Sequence, residues 1–177
     1  MKSLVALLLL SLVSLPALAA EEAPAKDAKP AAKNLLKPTN DVESWVFEVN
    51  EGGEGSMKAD DEAIVFTTTK TDGTDWHVQT YQPGIDLENG RKYVIKFSMK
   101  SPQEVAVNLV GQIHQVDWHE IGLREQLNPG KDYEDFKFEF TAHDVVDGNN
   151  RVGFVLGFAE GDVFVKDISL TEATAEK

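Results

Sequence analysis

The residues best suited to chemistry in this chain begin with an imidazole, an amide and a phenol spaced two apart in DWHVQTYQPGI, residues 75–85. On a strand, alternate side chains point to opposite faces, so His77, Gln79 and Tyr81 share one face while Trp76, Val78, Thr80 and Gln82 share the other. A strand with one wet face usually shows Lys, Glu and Thr to water. His77, Gln79 and Tyr81 are not there for solubility, and they mark a candidate binding face. The same kind of face recurs in EVAVNLVGQIH, residues 104–114, where Asn108, Gln112 and His114 oppose Val105, Val107, Leu109 and Ile113. In NRVGFVLGF, residues 150–158, Arg151, Gly153 and Val155 oppose Val152, Phe154, Leu156 and Phe158.

Two other chemistries compete for these residues. His114, Asp117 and His119 lie within six residues, with His77 on a neighbouring segment, and imidazole with carboxylate could hold zinc or copper. Residues five apart cannot share one side of a strand without a bend, so the cluster is a weak metal signature. Asp117 and Glu120 flank Trp118 and are the acids a glycosidase would use, because that chemistry needs two carboxylates roughly 5 or 6.5–9.5 Å apart. With thirty acidic residues, such a pair is easy to find. The chain has no cysteine, no G-x-S-x-G, no H-E-x-x-H and no glycine loop leading into a helix. A non-catalytic protein is expected.

Residues 1–19, MKSLVALLLLSLVSLPALA, combine a basic start, an apolar run too short to span a bilayer and a small-x-small end. They read as a secretory signal peptide, which places the protein outside the cell or in a periplasm. Without cysteine the exported fold cannot use disulfides and must rest on its core, with or without a metal. The 17 Lys+Arg against 30 Asp+Glu give a net charge of −13. Losing Lys2 with the signal peptide leaves 16 against 30, or −14. That sign argues against nucleic acid and anionic membranes, and no membrane insertion is expected.

The elements that must position the candidate face are strands. Residues 20–33, AEEAPAKDAKPAAK, are a disordered Ala/Pro/Lys linker, residues 34–172 are the folded domain, and residues 173–177 are a polar tail. Ten strands are expected, at 45–49, 56–59, 63–69, 76–82, 92–99, 104–114, 120–124, 136–141, 151–158 and 162–170. Turns at PGIDLENG, NPGK, DGNN and EGD separate several of them. Ten strands without βα alternation predict an all-β, antiparallel β-sandwich. Phe97, Phe136, Phe138, Phe140 and Phe154 fall in phase with aliphatics and are expected in the core, as are Trp45 and Trp76. No repeat is visible, and a monomer is expected.

The order of DWHVQTYQPGIDLENGRKYVIKFSMKS, FKFEFTA and NRVGFVLGFAEGDVFVKDISL resembles the secreted carbohydrate-binding modules of the CenC-like group, families 4, 9 and 22, over residues 40–172. The resemblance implies a jelly-roll whose concave sheet binds a poly- or oligosaccharide without catalysis. Sugars present hydroxyls and apolar C–H faces, so such a site needs amide or guanidinium hydrogen bonds beside aromatic platforms. By this resemblance Trp118, beyond the VGQ at 110–112, is the first stacking platform and Tyr81 the second. Gln79, Asn108, Gln112 and Arg151 hydrogen-bond hydroxyls, and His77 and His114 line the groove. Glu48 stands near a position where a relative has a ligand-touching tyrosine, which leaves fewer aromatic walls. Each residue also has a plainer role: solvated amides, Trp118 as a lid over the core edge, Arg151 in an ion pair. The resemblance further implies a structural calcium ion near Asp167, with backbone oxygens near Asp61, although Lys166 replaces the acid usual before Asp167. The same sandwich without a sugar ligand would be an envelope or extracellular protein-interaction module.

Overall fold

The computed structural model describes residues 32–173, and the expected signal peptide, the linker up to residue 31 and the last four tail residues lie outside them. Ten strands are present: β1 Val46–Val49, β2 Glu54–Asp60, β3 Ala63–Lys70, β4 Val78–Ile85, β5 Lys92–Lys100, β6 Val107–Ile113, β7 Glu120–Leu127, β8 Glu134–Thr141, β9 Asn150–Val155 and β10 Gly161–Glu172. They form two five-stranded sheets, ordered β1-β4-β9-β6-β7 and β2-β3-β10-β5-β8. Every pairing in the first sheet is antiparallel, and so is every pairing in the second. This is the expected all-β jelly-roll sandwich. Among the described residues no helix is long and apolar enough to cross a membrane.

The two inner faces meet in an aromatic centre. Trp45, just before β1, packs edge-on to Phe66 of β3 at 5.3 Å and stacks on Phe154 of β9 at 6.4 Å. Phe97 of β5 meets Phe154 at 5.4 Å. Trp45 tolerates burial because its indole N–H donates to the Thr39 carbonyl at 3.0 Å. Phe136 and Phe138 lie on edge strand β8 and are only partly buried, stacking against Phe97 from the side. The chain before β1 is sewn to β10. Leu35 N–H donates to the Leu170 carbonyl, and the Asn34 and Thr39 side-chain oxygens accept from Leu170 and Ile168 N–H groups.

One core expectation fails, and one expected strand ends early. Trp76 is 51% exposed, not a core residue. Alternation governs only residues within a strand, and β4 starts at Val78; Asp75–His77 form a 3-10 turn. That turn follows a tight loop in which the Asp72 carboxylate accepts from Thr74 N–H, so the period is out of phase at Trp76. Phe158 is likewise exposed, because β9 ends at Val155 and the chain bends past Gly157, whose N–H donates to the Asp75 carbonyl.

Candidate functional site

Cross-strand partners share a face, so the register of the first sheet fixes what its outer face presents. One row runs Glu48, Gln79, Val155, Asn108, Gln126 across β1, β4, β9, β6 and β7. The next runs Val46, Tyr81, Gly153, Val110, Arg124, and a third runs Pro83, Arg151, Gln112, Glu120. Gly153 is required here: a Cβ would sit 1.9 Å from the Thr80 carbonyl oxygen and 2.6 Å from the Tyr81 Cβ. The missing side chain lets Tyr81 lie down across β9.

On this face Arg151 is buried, at 6% exposure, with its guanidinium 4.3 Å from the centre of the Tyr81 ring and 4.8 Å from that of Trp118. It donates to Gln112 Oε1 at 2.9 Å and to Gln79 Oε1 at 3.4 Å. Gln79 turns its amide nitrogen to Glu48 Oε2 at 2.8 Å, and the Tyr81 hydroxyl donates to Glu48 Oε1 at 2.6 Å. Burial first, and then the Glu48 carboxylate, push the Tyr81 phenol from its ordinary 10.0 up to about 12. The floor is thus a connected network in which most polar groups already have partners.

Above this floor lies a cleft of about 710 Å³, within the size range of ligand sites. Its walls include Trp76, 51% exposed, and Trp118, 43% exposed, with Gln79, Gln112, Arg151 and Val155 beneath. Arg124 of β7 donates to Glu120 at 3.0 Å and to Asp75 at 3.2 Å, tying the turn before β4 to the far edge of the sheet. Trp118 sits in the β6–β7 loop with φ 59, the left-handed region that side chains avoid. The loop is held by Trp118 N–H to the Gln115 carbonyl and by His119. The His119 ring bonds the Asp144 carbonyl at 2.8 Å and the Asp117 carboxylate at 2.7 Å. Those two oxygens raise the His119 pKa, and His119 in turn holds the Asp117 carboxyl below its usual range.

The chain matches the family model described as "Carbohydrate binding domain", types 4 and 9, over residues 36–156. It belongs to that family. A search of curated proteins gives no match. Among solved structures, a CBM4 module is 20% identical with a TM-score of 0.66, covering 78% of this chain and 93% of its own. The N-terminal cellulose-binding domain of β-1,4-glucanase C from Cellulomonas fimi is 16% identical, with a TM-score of 0.61 and coverages of 78% and 94%. The CBM22-1 xylan-binding domain from Paenibacillus barcinonensis is 9% identical, with a TM-score of 0.54 and coverages of 84% and 100%. At these identities the likeness shows the fold. The family consists of binding domains, and this carbohydrate-binding domain is non-catalytic.

Of the residues expected to touch sugar, Trp118, Gln79, Gln112 and Arg151 line the cleft of this carbohydrate-binding domain. Tyr81, expected as a platform, is 3% exposed and lies beneath the Arg151 guanidinium, so it positions Arg151 and offers no free face. Asn108 is on the same face but buried outside the lining. His114 packs behind, 5.3 Å from Tyr81 and 5.7 Å from Trp118, with its Nδ1 buried and unpartnered. His77 lies outside the lining: the 3-10 turn aims its ring at Asp72, 2.9 Å away, and sets it edge-on to Trp76 at 4.2 Å. Trp76 is the lining residue that periodicity assigned to the core. The signal for it was TDGTD immediately upstream, a loop composition that argues against continuing the strand backwards.

The zinc or copper arrangement does not fit the residues present. Among the described residues no group of three His, Asp or Glu side chains could hold an ion, and both His119 ring nitrogens face oxygens already. Calcium takes six to eight oxygens. Asp167, at φ 55 in a bulge of β10, is largely exposed, with Lys166 Nζ 4.0 Å from its carboxylate. The Asp61 carbonyl accepts from Asn40, and Lys100 and Lys166 both stand over the Tyr133 ring nearby, at 4.6 and 4.7 Å. Asp60, Asp61 and Glu62 line one cleft with these two lysines and Tyr133.

Proposed function

We propose that this domain binds a poly- or oligosaccharide in the cleft, stacking sugar rings on Trp118 and Trp76. The observation that carries the proposal is the pair of open indoles on the walls of one polar-floored cleft. An indole covers the apolar C–H face of a pyranose, and amides and carboxylates around it take the hydroxyls. Gln112, whose amide nitrogen has no partner among the described residues, and Asn50, Asp117 and Glu120 are placed for that second role. The Glu48–Gln79–Tyr81–Arg151 network fixes the floor, so little conformational freedom is lost on binding. We also propose that the chain is exported by residues 1–19 and acts as a monomer outside the cytoplasm, with neither nucleic acid nor membrane as partner at a net charge of −13.

One observation favours a second reading, a protein-interaction module: Glu48 takes the Gln79 amide nitrogen and Arg151 takes both glutamine oxygens, which leaves few floor groups for hydroxyls. Titrating the mature chain with soluble glucans, xylans and mannans while following tryptophan fluorescence separates the two. Saturable quenching, lost in Trp118→Ala and weakened in Trp76→Ala, is expected. A flat response to every glycan from a folded protein would favour the interaction module.

A further inference from the structure

The cleft has a charge pattern that selects among glycans, an inference that rests on the glycan-binding reading above. Its walls carry four carboxylates, Glu48, Asp75, Asp117 and Glu120, against two guanidiniums, Arg124 and Arg151, a formal balance of −2. Both guanidiniums are engaged. Arg124 bridges Asp75 and Glu120, and Arg151 is held by two glutamine carbonyls between two aromatic rings. Arg124 is thereby paired with carboxylates, whereas Arg151 has no carboxylate partner but is 6% exposed and covered by the two rings.

Glu48, like Arg151, is held by uncharged partners. Its two oxygens accept from uncharged donors, Tyr81 and Gln79, and among the described residues no Lys, Arg or His comes within ion-pair distance of it. Asp117 projects into solvent beside Trp118, and its contact with His119 keeps it ionised. Open indoles edged by carboxylates that lack a full cationic partner are suited to an ammonium group, which gains both from the ring quadrupole and from the nearby charge. The pairing already occurs once inside the site, where the Tyr81 and Trp118 rings take the Arg151 guanidinium. The net charge of −13 adds a field of the same sign over the whole surface.

We infer that the cleft takes a glycan carrying free primary amines and rejects one carrying carboxylates. The ammonium lies against an open indole with Glu48 or Asp117 as counter-ion, and neighbouring hydroxyls reach Gln112 and Asn50. A uronate in the same place meets four carboxylates against one ion-paired guanidinium and one buried beneath two aromatic rings.

Four β-1,4 or α-1,4 hexamers test this on the folded mature chain, in mildly acidic buffer at low salt: those of glucosamine, N-acetylglucosamine, glucose and galacturonate. The glucosamine hexamer should bind at least tenfold more tightly than either neutral hexamer, and the galacturonate hexamer should not bind. The advantage should shrink several-fold in Glu48→Gln, in Asp117→Asn, and when salt is raised. Asp117 is exposed, so its variant keeps the test usable if Glu48→Gln disturbs the floor. A neutral hexamer binding as tightly as the amine would overturn the inference and leave glycan binding intact. An amine advantage untouched by either substitution would also overturn it, because the general acidic surface would then be the cause. Failure of every hexamer to bind would remove the glycan reading itself.

Discussion

Replacing Trp118 by alanine and by glycine should reverse the usual order of those two residues. The backbone at 118 has φ 59. An L-residue there costs roughly 1–2 kcal/mol that glycine does not, whereas glycine's freer unfolded chain costs about 0.4–1 kcal/mol. The difference leaves Trp118→Gly more stable than Trp118→Ala by about 0.5–1 kcal/mol. Both lose the Arg151 contact at 4.8 Å, worth about 0.5–1 kcal/mol, and little more, since the indole is already 43% exposed. Urea denaturation reads the difference as a midpoint shift of a few tenths molar, at roughly 1–3 kcal/mol per molar. Glycan affinity should fall equally in both, by about 1–3 kcal/mol, or roughly 5- to 150-fold. Alanine equal to or more stable than glycine would refute the left-handed backbone that presents the indole. Unequal binding losses would show that the loop, rather than the ring, carries affinity.

The other tryptophans should separate sharply. Trp45→Ala, removing a ring 4% exposed, should lower stability by roughly 3–5 kcal/mol, and Trp76→Ala by no more than about 1–2 kcal/mol while weakening glycan binding, as denaturation and titration of each variant would report. Tyr81 favours its neutral form when folded, so its contribution is fully present below pH 10 and is lost as pH rises towards about 12. The lost stability is roughly 2–3 kcal/mol and should be absent in Tyr81→Phe, with Glu48→Gln lowering the phenol pKa but leaving it above 10 because burial is the larger cause. Calcium or a chelator should leave Tm unchanged; a rise of several degrees with calcium would show that backbone oxygens around Asp61 and Asp167 suffice to hold it.

All ten strands were legible in the sequence because alternation and turn composition are local signals. So was the side of the sheet on which Gln79, Tyr81, Arg151 and Gln112 fall. What they do there was not, since it depends on register between strands distant in sequence. Tyr81 looks like an open platform until β4 pairs with β9 and Gly153 lets it lie flat under Arg151. Trp76 and His77 were misassigned for one reason, the extension of a two-residue period into a 3-10 turn. Trp118 was found through the family resemblance, because no periodic pattern covers its loop.

The central claim is that sugar meets Trp76 and Trp118 in this cleft, and the three indole N–H signals of a nitrogen–proton correlation NMR spectrum report on it directly. On titration with a bound glycan the Trp76 and Trp118 signals should shift together and saturate, while that of Trp45, hydrogen-bonded to Thr39 in the core, stays still. Binding that leaves both cleft indoles unmoved, or that shifts residues around Tyr133 on the other sheet instead, would contradict the account.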